Sequence, residues 1–142
     1  MNEYVFDEIR VGQEEHFTRL ITPQMEESFR LLTGDENPLH REDAFAKKIG
    51  GGKFEGHVTY GMLTASLLST LAGVYLPGRY SLIHSIDNIS FKKPVYAGQE
   101  LLVSGTVKEK VEDLKLLLLA VKITNPEGKT VLKADMKVLV LK

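Results

Sequence analysis

The sequence predicts an α+β fold in which an antiparallel sheet wraps around one long helix. Residues 60–73 contain no charged side chain, and apolar or small residues occupy every face of this stretch at helical period. The stretch is too short to cross a bilayer, so we expect a fully buried helix. The chain after Arg79 carries several strand-like runs and no second helical pattern. It can therefore supply the sheet that covers the helix.

Length and composition predict an ordinary single-domain protein over residues 1–142. The net charge of −1 gives no electrostatic case for a nucleic-acid partner. We expect no membrane span, and the N-terminus lacks the pattern of a signal peptide, so we expect a cytoplasmic protein. The chain has no cysteine, which excludes disulfides and thiolate catalysis, and its four histidines show no metal-binding spacing. No metal site is therefore predicted.

The first third of the chain predicts strands and a helix. Residues 3–6 and about 12–20 carry β-type runs. Thr22 is a good N-cap, Pro23 suits the first helical turn, and Gly34 is a good helix terminator. The predicted inward face of this helix consists of Met25, Phe29 and Leu32.

A second short helix is predicted after the first. Asn37 is a suitable cap, Pro38 a suitable first residue, and the helix is expected to reach about Lys48. The glycines at 50–52 end it in a flexible loop without the lysine and hydroxyl of a phosphate-binding loop. Its inner side is predicted to carry Leu39, Ala46 and Ile49.

The second half of the chain predicts the sheet. Leu76, Pro77 and Gly78 close the central helix and turn the chain. Residues 115–124 are almost continuously apolar, which is typical of a central strand buried on both faces. The other predicted strands span 81–95, broken by Pro94, then 100–109 and 132–140, where side chains alternate.

Two features suggest chemistry. Asp35 and His40 flank a loop-to-helix junction, where a carboxylate and an imidazole sharing a water can act as base and acid. Gly61 begins the central helix, whose first N–H groups can stabilise an oxyanion. A plainer reading remains open: Asp35 caps a helix, His40 lies on the surface, and Gly61 only relieves packing.

Residues 34–40 read G-D-E-N-P-L-H and are followed by Ala46. This segment resembles the G-D-x-N-P-[LIV]-H-x5-[AS] signature of the MaoC-like dehydratases, the (R)-specific enoyl-CoA hydratases of the hot dog fold. The resemblance extends over nearly the whole chain. Further similar segments are 60–63, 65–69, 76–78, 90–95 and Gly98.

The resemblance implies the hot dog fold and the hydration of a trans-2-enoyl thioester carried on CoA or acyl carrier protein. Asp35 and His40 would hold the reacting water, and the Gly61 N–H would polarise the thioester carbonyl. The resemblance further implies a homodimer and no metal or redox cofactor. The expected substrate-binding residues are Asn37, which shapes the loop, Tyr60, Met62, Ser69 and His57.

The chain departs from the family pattern where the usual histidine before Gly61 is replaced by Tyr60. We expect Tyr60 to line the pocket and to change the choice of acyl group. His57 either leans into the site or is an ordinary loop histidine. Lys92 and Lys93, with Arg79, either meet CoA phosphates or form a solvated strand edge.

Two other functions are compatible with the same fold. A thioesterase would use the same helix N-terminus to activate the carbonyl for direct attack by water, but such families normally lack the Asp-x-Asn-Pro-x-His loop. A non-catalytic acyl-binding subunit would need neither Asp35 nor His40. The presence of both residues therefore favours the hydratase.

Overall fold

A computed structural model describes residues 1–142. It contains one five-stranded antiparallel sheet in the order β1-β3-β4-β5-β2, which confirms the predicted sheet and places the apolar strand β4 at its centre. The strands β1 and β2 form the two edges. The strands are β1 (Glu14–Leu20), β2 (Ser81–Phe91), β3 (Glu100–Val111), β4 (Leu116–Thr124) and β5 (Thr130–Val140).

Three α-helices accompany the sheet: α1 (Pro23–Thr33), α2 (Asp43–Ile49) and α3 (Gly61–Thr70). The last one continues as a π-helical turn, Leu71–Tyr75, before Leu76 ends it. A Cβ at Gly105 of β3 would lie 2.8 Å from the Leu71 side chain. Only glycine lets the end of the central helix approach the sheet this closely.

The start and the end of α1 agree with the prediction. Thr22 Oγ1 accepts a hydrogen bond from the Met25 N–H at 3.2 Å, and Gly34 adopts a left-handed conformation with a φ of 74°. Met25 and Phe29 are half-buried, but Leu32 is 82% exposed, so its predicted inward position is wrong. The helical period is intact, but the last turn of α1 extends beyond the residues that pack on the core.

The segment after α1 is more broken than predicted. A 3₁₀ turn, Pro38–His40, stands apart from α2, so one continuous helix from Pro38 to Lys48 is wrong. In α2 only Ala46 is buried, whereas the terminal Ile49 is 65% exposed and does not face inward as predicted. Seven residues make two turns, which offer only one small side chain to the core.

Two strand predictions also need correction. Residues 3–6 form no strand: Glu3 makes a single bridge to Gly78, and Phe6–Glu8 is a 3₁₀ turn. The strand predicted at 81–95 ends at Phe91. Pro94 has no N–H to donate to a ladder, so the chain leaves the sheet before it.

The central helix α3 is buried on one side only. Leu67 and Leu68 belong to the hydrophobic core together with residues of the sheet. Met62 is 61% exposed, and Ser66 and Ser69, which follow on the same face, are also exposed. The expectation of burial on all faces is therefore wrong, because a chargeless helix face can border a cavity as well as a core. No helix is long and apolar enough to cross a bilayer.

Candidate active site

The signature loop is shaped by its own side chains. Asp35 Oδ1 accepts a hydrogen bond from the Asn37 N–H at 3.0 Å, and Asn37 Oδ1 accepts one from the Leu39 N–H at 3.0 Å. These bonds between a side chain and the backbone two residues later form successive Asx turns. Asn37 thus caps the 3₁₀ turn that ends at His40. The other carboxylate oxygen of Asp35 forms no hydrogen bond within the chain.

The orientation of His40 is defined by a backbone carbonyl. Its Nδ1 lies 2.6 Å from the carbonyl oxygen of Val58. Because a carbonyl only accepts, Nδ1 must carry the proton, and Nε2 of the neutral ring is left as an acceptor. His40 is half-buried and therefore presents a basic nitrogen of defined tautomer.

The N-terminus of α3 has unused donors. Its N-cap residue makes no side-chain cap, and the N–H groups of Gly61, Met62 and Leu63 have no hydrogen-bond partner. A Cβ at Gly61 would lie 3.0 Å from the Phe91 ring, so this ring covers the backbone there. Unpaired N–H groups at a helix N-terminus carry partial positive charge and can bind an oxyanion.

One large cavity of about 850 Å³ brings these groups together. Asp35, His40 and Gly61 all line it. Most of the remaining wall is apolar, as is usual for a small-molecule site. The remaining wall residues are Phe29, Thr33, Tyr60, Met62, Ala65, Ser66, Ser69, Ile83, Ile86, Ile89 and Phe91.

Tyr60 borders this cavity but is only 2% exposed. Its phenol donates a hydrogen bond to the backbone carbonyl of Asp35 at 2.7 Å. Its ring centroid lies 4.3 Å from that of His40 and 5.1 Å from that of Phe29. Met62 and Ser69, in contrast, present exposed side chains to the same cavity.

Comparison with known proteins identifies the family of this chain. The family model of the MaoC like domain matches residues 8–125. The chain belongs to the MaoC-like family.

Named relatives of this MaoC-like chain include hydratases and dehydratases. It is 35% identical to the (R)-specific enoyl-CoA hydratase of Aeromonas caviae over 84% of this chain and 87% of that protein. It is 29% identical to the 3-hydroxybutyryl-CoA dehydratase of Methylorubrum extorquens over 81% and 71% of the two chains. The chain is thus similar to enzymes that add or remove water.

Solved structures give the same answer for the fold. The Aeromonas caviae (R)-hydratase superposes with a TM-score of 0.85 at 32% identity, covering 93% of this chain and 97% of that one. An R-hydratase from Pseudomonas aeruginosa superposes with a TM-score of 0.86 at 27% identity, covering 96% and 84%. The predicted hot dog fold is confirmed.

In this MaoC-like site, His57 lies outside the large cavity. Its Nδ1 is 2.6 Å from Asp43 Oδ1, and its Nε2 is 3.1 Å from Glu26 Oε1. Both ring nitrogens are occupied by carboxylates, so the expectation that His57 leans toward the substrate is not met. The three residues instead tie α1 and α2 to the segment that leads into α3.

Burial disfavours the charged imidazole, but the hydrogen bonds to Asp43 and Glu26 outweigh this effect and raise the pKa of His57 above its ordinary value. The backbone N–H and the ring of His57 lower the pKa of the Asp43 carboxyl. Because carboxylate oxygens only accept, the doubly protonated imidazolium is the form of His57 that can donate to both Asp43 and Glu26.

Sequence reasoning missed Glu26. Its side chain is buried, and its Oε2 accepts a hydrogen bond from the Thr59 hydroxyl at 2.9 Å. The helical period offers little signal for it, because Glu26 points about 100° around the helix from Met25 and lies beside the predicted inward face. A buried carboxylate needs donors, and His57 and Thr59 provide them.

A smaller cavity of about 270 Å³ adjoins the large one. His40, Gly61 and Phe91 border both cavities. Lys92 and Lys93 line the smaller one.

Arg79 is not near these lysines. It lies at the opposite end of β2 and pairs with Glu3 at 3.0 Å. The prediction that Arg79 lies together with Lys92 and Lys93 is therefore wrong.

Proposed function

We propose that this protein catalyses the reversible hydration of trans-2-enoyl thioesters to (R)-3-hydroxyacyl thioesters. One observation supports this most strongly: Asp35, His40 and the free N–H of Gly61 line one apolar cavity. Base, acid and oxyanion donor are the groups that addition of water to an enoyl thioester requires.

The geometry supports the following sequence of events. Water sits between the Asp35 carboxylate and Nε2 of His40 and gives up a proton to this pair as its oxygen bonds to C3. The electrons of the C2=C3 bond move toward the thioester carbonyl. The developing oxyanion accepts a hydrogen bond from the N–H of Gly61. The pair then returns a proton to C2, so that one H and one OH are added and the enzyme is regenerated.

The two cavities fit the two arms of such a substrate. The larger apolar cavity suits the acyl chain, which would run past Met62 and Ser69. The smaller one, with Lys92 and Lys93 beside it, suits the carrier arm and its phosphate. The thioester carbonyl would then lie where the cavities meet, at Gly61.

The direct test is the loss of enoyl absorbance when purified protein meets crotonyl-CoA, with chiral analysis of the 3-hydroxyacyl product. Turnover of a carrier-bound enoyl group alone would assign acyl carrier protein as the carrier. Release of free thiol would indicate the thioesterase instead, and binding without turnover would indicate a non-catalytic subunit. We propose that no metal or redox cofactor takes part, so chelator should leave the rate unchanged.

We also propose that the protein is a homodimer paired through the free edge of β2. This strand pairs only with β5, and three of its exposed apolar residues, Ile86, Ile89 and Phe91, also line the large cavity. A second copy laid over this edge would remove these side chains from water. The residues concerned are Leu82, Ile86, Ile89 and Phe91, with Met62 beside them. Sedimentation should show a dimer, and a fully active monomer would contradict the proposal.

A further inference from the structure

Tyr60, which replaces the family's histidine, borders the large cavity but exposes almost none of its surface. It is 2% exposed, and its hydroxyl hydrogen is used by the Asp35 carbonyl. A side chain that contacts substrate needs exposed surface or a free polar atom directed at the ligand. Tyr60 offers little of either.

Tyr60 instead contacts each of the three functional groups. Its phenol holds the backbone of Asp35 at 2.7 Å, and its ring packs at 4.3 Å on the ring of His40. Its own carbonyl accepts the N–H of Thr64, so it begins the helix whose first residue is Gly61. Tyr60 is therefore the common neighbour of the loop that bears Asp35, of the His40 ring and of the helix N-terminus at Gly61.

The backbone around Tyr60 is itself anchored. The Val58 N–H donates to the Leu39 carbonyl at 3.0 Å, and the Val58 carbonyl accepts His40 Nδ1–H. The Thr59 N–H donates to the Val95 carbonyl at 2.8 Å. Because this segment is held in place, the phenol of Tyr60 can fix the position of the more exposed loop that bears Asp35.

We propose that Tyr60 is a positioning residue, whose phenol fixes the Asp35 backbone while its ring fixes the plane of His40. It sets the distance between base, acid and oxyanion donor and does not select the acyl group. Burial, and then the nearby Asp35 carboxylate, raise the pKa of Tyr60, so the phenol remains a donor throughout the neutral range. The proposal deepens the proposed function, but its structural half does not depend on it.

Tyr60→Phe removes only the hydroxyl and should lower kcat about 2- to 12-fold, the effect of one part-buried hydrogen bond. KM should stay nearly constant, and the loss should be equal for crotonyl and longer enoyl thioesters. Tyr60→His, which restores the family's residue, should behave similarly because an imidazole is shorter than a phenol. The matched control is Tyr4→Phe, which removes a phenol hydrogen bond of 2.8 Å to Glu15 away from the site.

A second readout works even if the protein hydrates nothing. Hydrogen exchange at the Asn37 and Leu39 amides should quicken in Tyr60→Phe and stay unchanged in Tyr4→Phe. Nitrogen NMR of His40 should show the Nδ1–H form in both proteins, because Tyr60→Phe keeps the Val58 carbonyl and the ring at position 60. An inactive wild type with this exchange pattern would contradict the proposed hydratase activity but support the positioning role of Tyr60.

Two results would overturn the proposal. A Tyr60→Phe enzyme that changes its preference among acyl chains while loop exchange stays constant would make Tyr60 a wall of the substrate cavity. Unchanged kinetics with unchanged loop exchange would make the phenol bond irrelevant to the site.

Discussion

The segments Gly34–His40 and His57–Gly61 meet at the site but are held in different ways. In the first, Asp35 and Asn37 each bond to the backbone two residues ahead. In the second, His57 and Thr59 bond to side chains 14, 31 and 33 positions away. The first segment is largely exposed, whereas Thr59 and Tyr60 in the second are buried.

The first segment carries the acid–base side chains, whereas the second segment fixes their orientation. Asp35 and His40 lie on a segment whose shape is set largely by hydrogen bonds within it. The second segment gives the first its orientation, since Val58 holds the His40 ring and Tyr60 holds the Asp35 backbone. We therefore expect loss of the reacting side chains of the first segment to lower the rate most, and substitutions behind the second segment to weaken both stability and rate.

The largest effect should come from the reacting groups. Asp35→Asn and His40→Ala should each lower the hydration rate about 10²- to 10⁴-fold, the usual contribution of a general acid or base. Circular dichroism and thermal unfolding should remain close to wild type, because neither side chain belongs to the core. Near-normal turnover in both variants would mean that the active site lies elsewhere.

The next effect should come from the buried carboxylate behind the second segment. Glu26→Gln weakens the bonds to His57 and Thr59 and should lower the free energy of unfolding by about 1–3 kcal/mol. The turnover rate should also fall, but by less than in the Asp35 variant. Urea unfolding and steady-state kinetics measure both quantities.

The control for Glu26 is its neighbour Glu27, which is exposed and pairs only with Arg30. Glu27→Gln makes the same chemical change and should leave unfolding and turnover near wild type. Equal losses in the two variants would show that burial of Glu26 is unimportant.

A smaller, pH-dependent effect should come from His57. Its pKa is raised in the folded protein, so its contribution to stability is fully present below the ordinary histidine value of about 6.5 and is lost as pH rises through the raised value. The pKa of Asp43 is lowered, so its contribution is present above about 3.9 and is lost only as pH falls through that lowered value.

The stability difference between wild type and His57→Gln should therefore be largest in mildly acidic solution and shrink above neutrality. Urea unfolding from about pH 5 to pH 9 measures it. His16→Gln, at an exposed histidine of β1, should show no comparable pH-dependent difference. A difference that grows with pH would have the wrong sign for an imidazolium between carboxylates.

The smallest effect should come from the ion pairs around the first segment. Glu36 bridges Arg30 and Arg41, and its side chain is 54% exposed. Glu36→Gln should reduce turnover by less than about fivefold, and added salt should reduce the difference further. A loss as large as that of the Asp35 variant would show that charge outside the cavity, and not the second segment, orients the loop.

Prediction from the sequence succeeded where the physics is local. The Thr22 cap, the Gly34 terminator and the central position of the apolar strand β4 all agree with the structure. It failed for Leu32 and Ile49, which satisfy helical period but lie where no other element covers them. Period indicates which residues share a face, whereas burial depends on what packs against that face.

The sequence by itself determined α1 with its two caps, the central helix α3, the apolar strand β4 and the Asn37 cap between Asp35 and His40, because these features depend on interactions over a few residues. Only the tertiary structure decided that Val58 sets the His40 tautomer, that Tyr60 holds Asp35, and that Glu26 faces inward to His57. These contacts join segments 18 to 31 residues apart. They form only after packing of α1, α2 and α3 has brought those segments together.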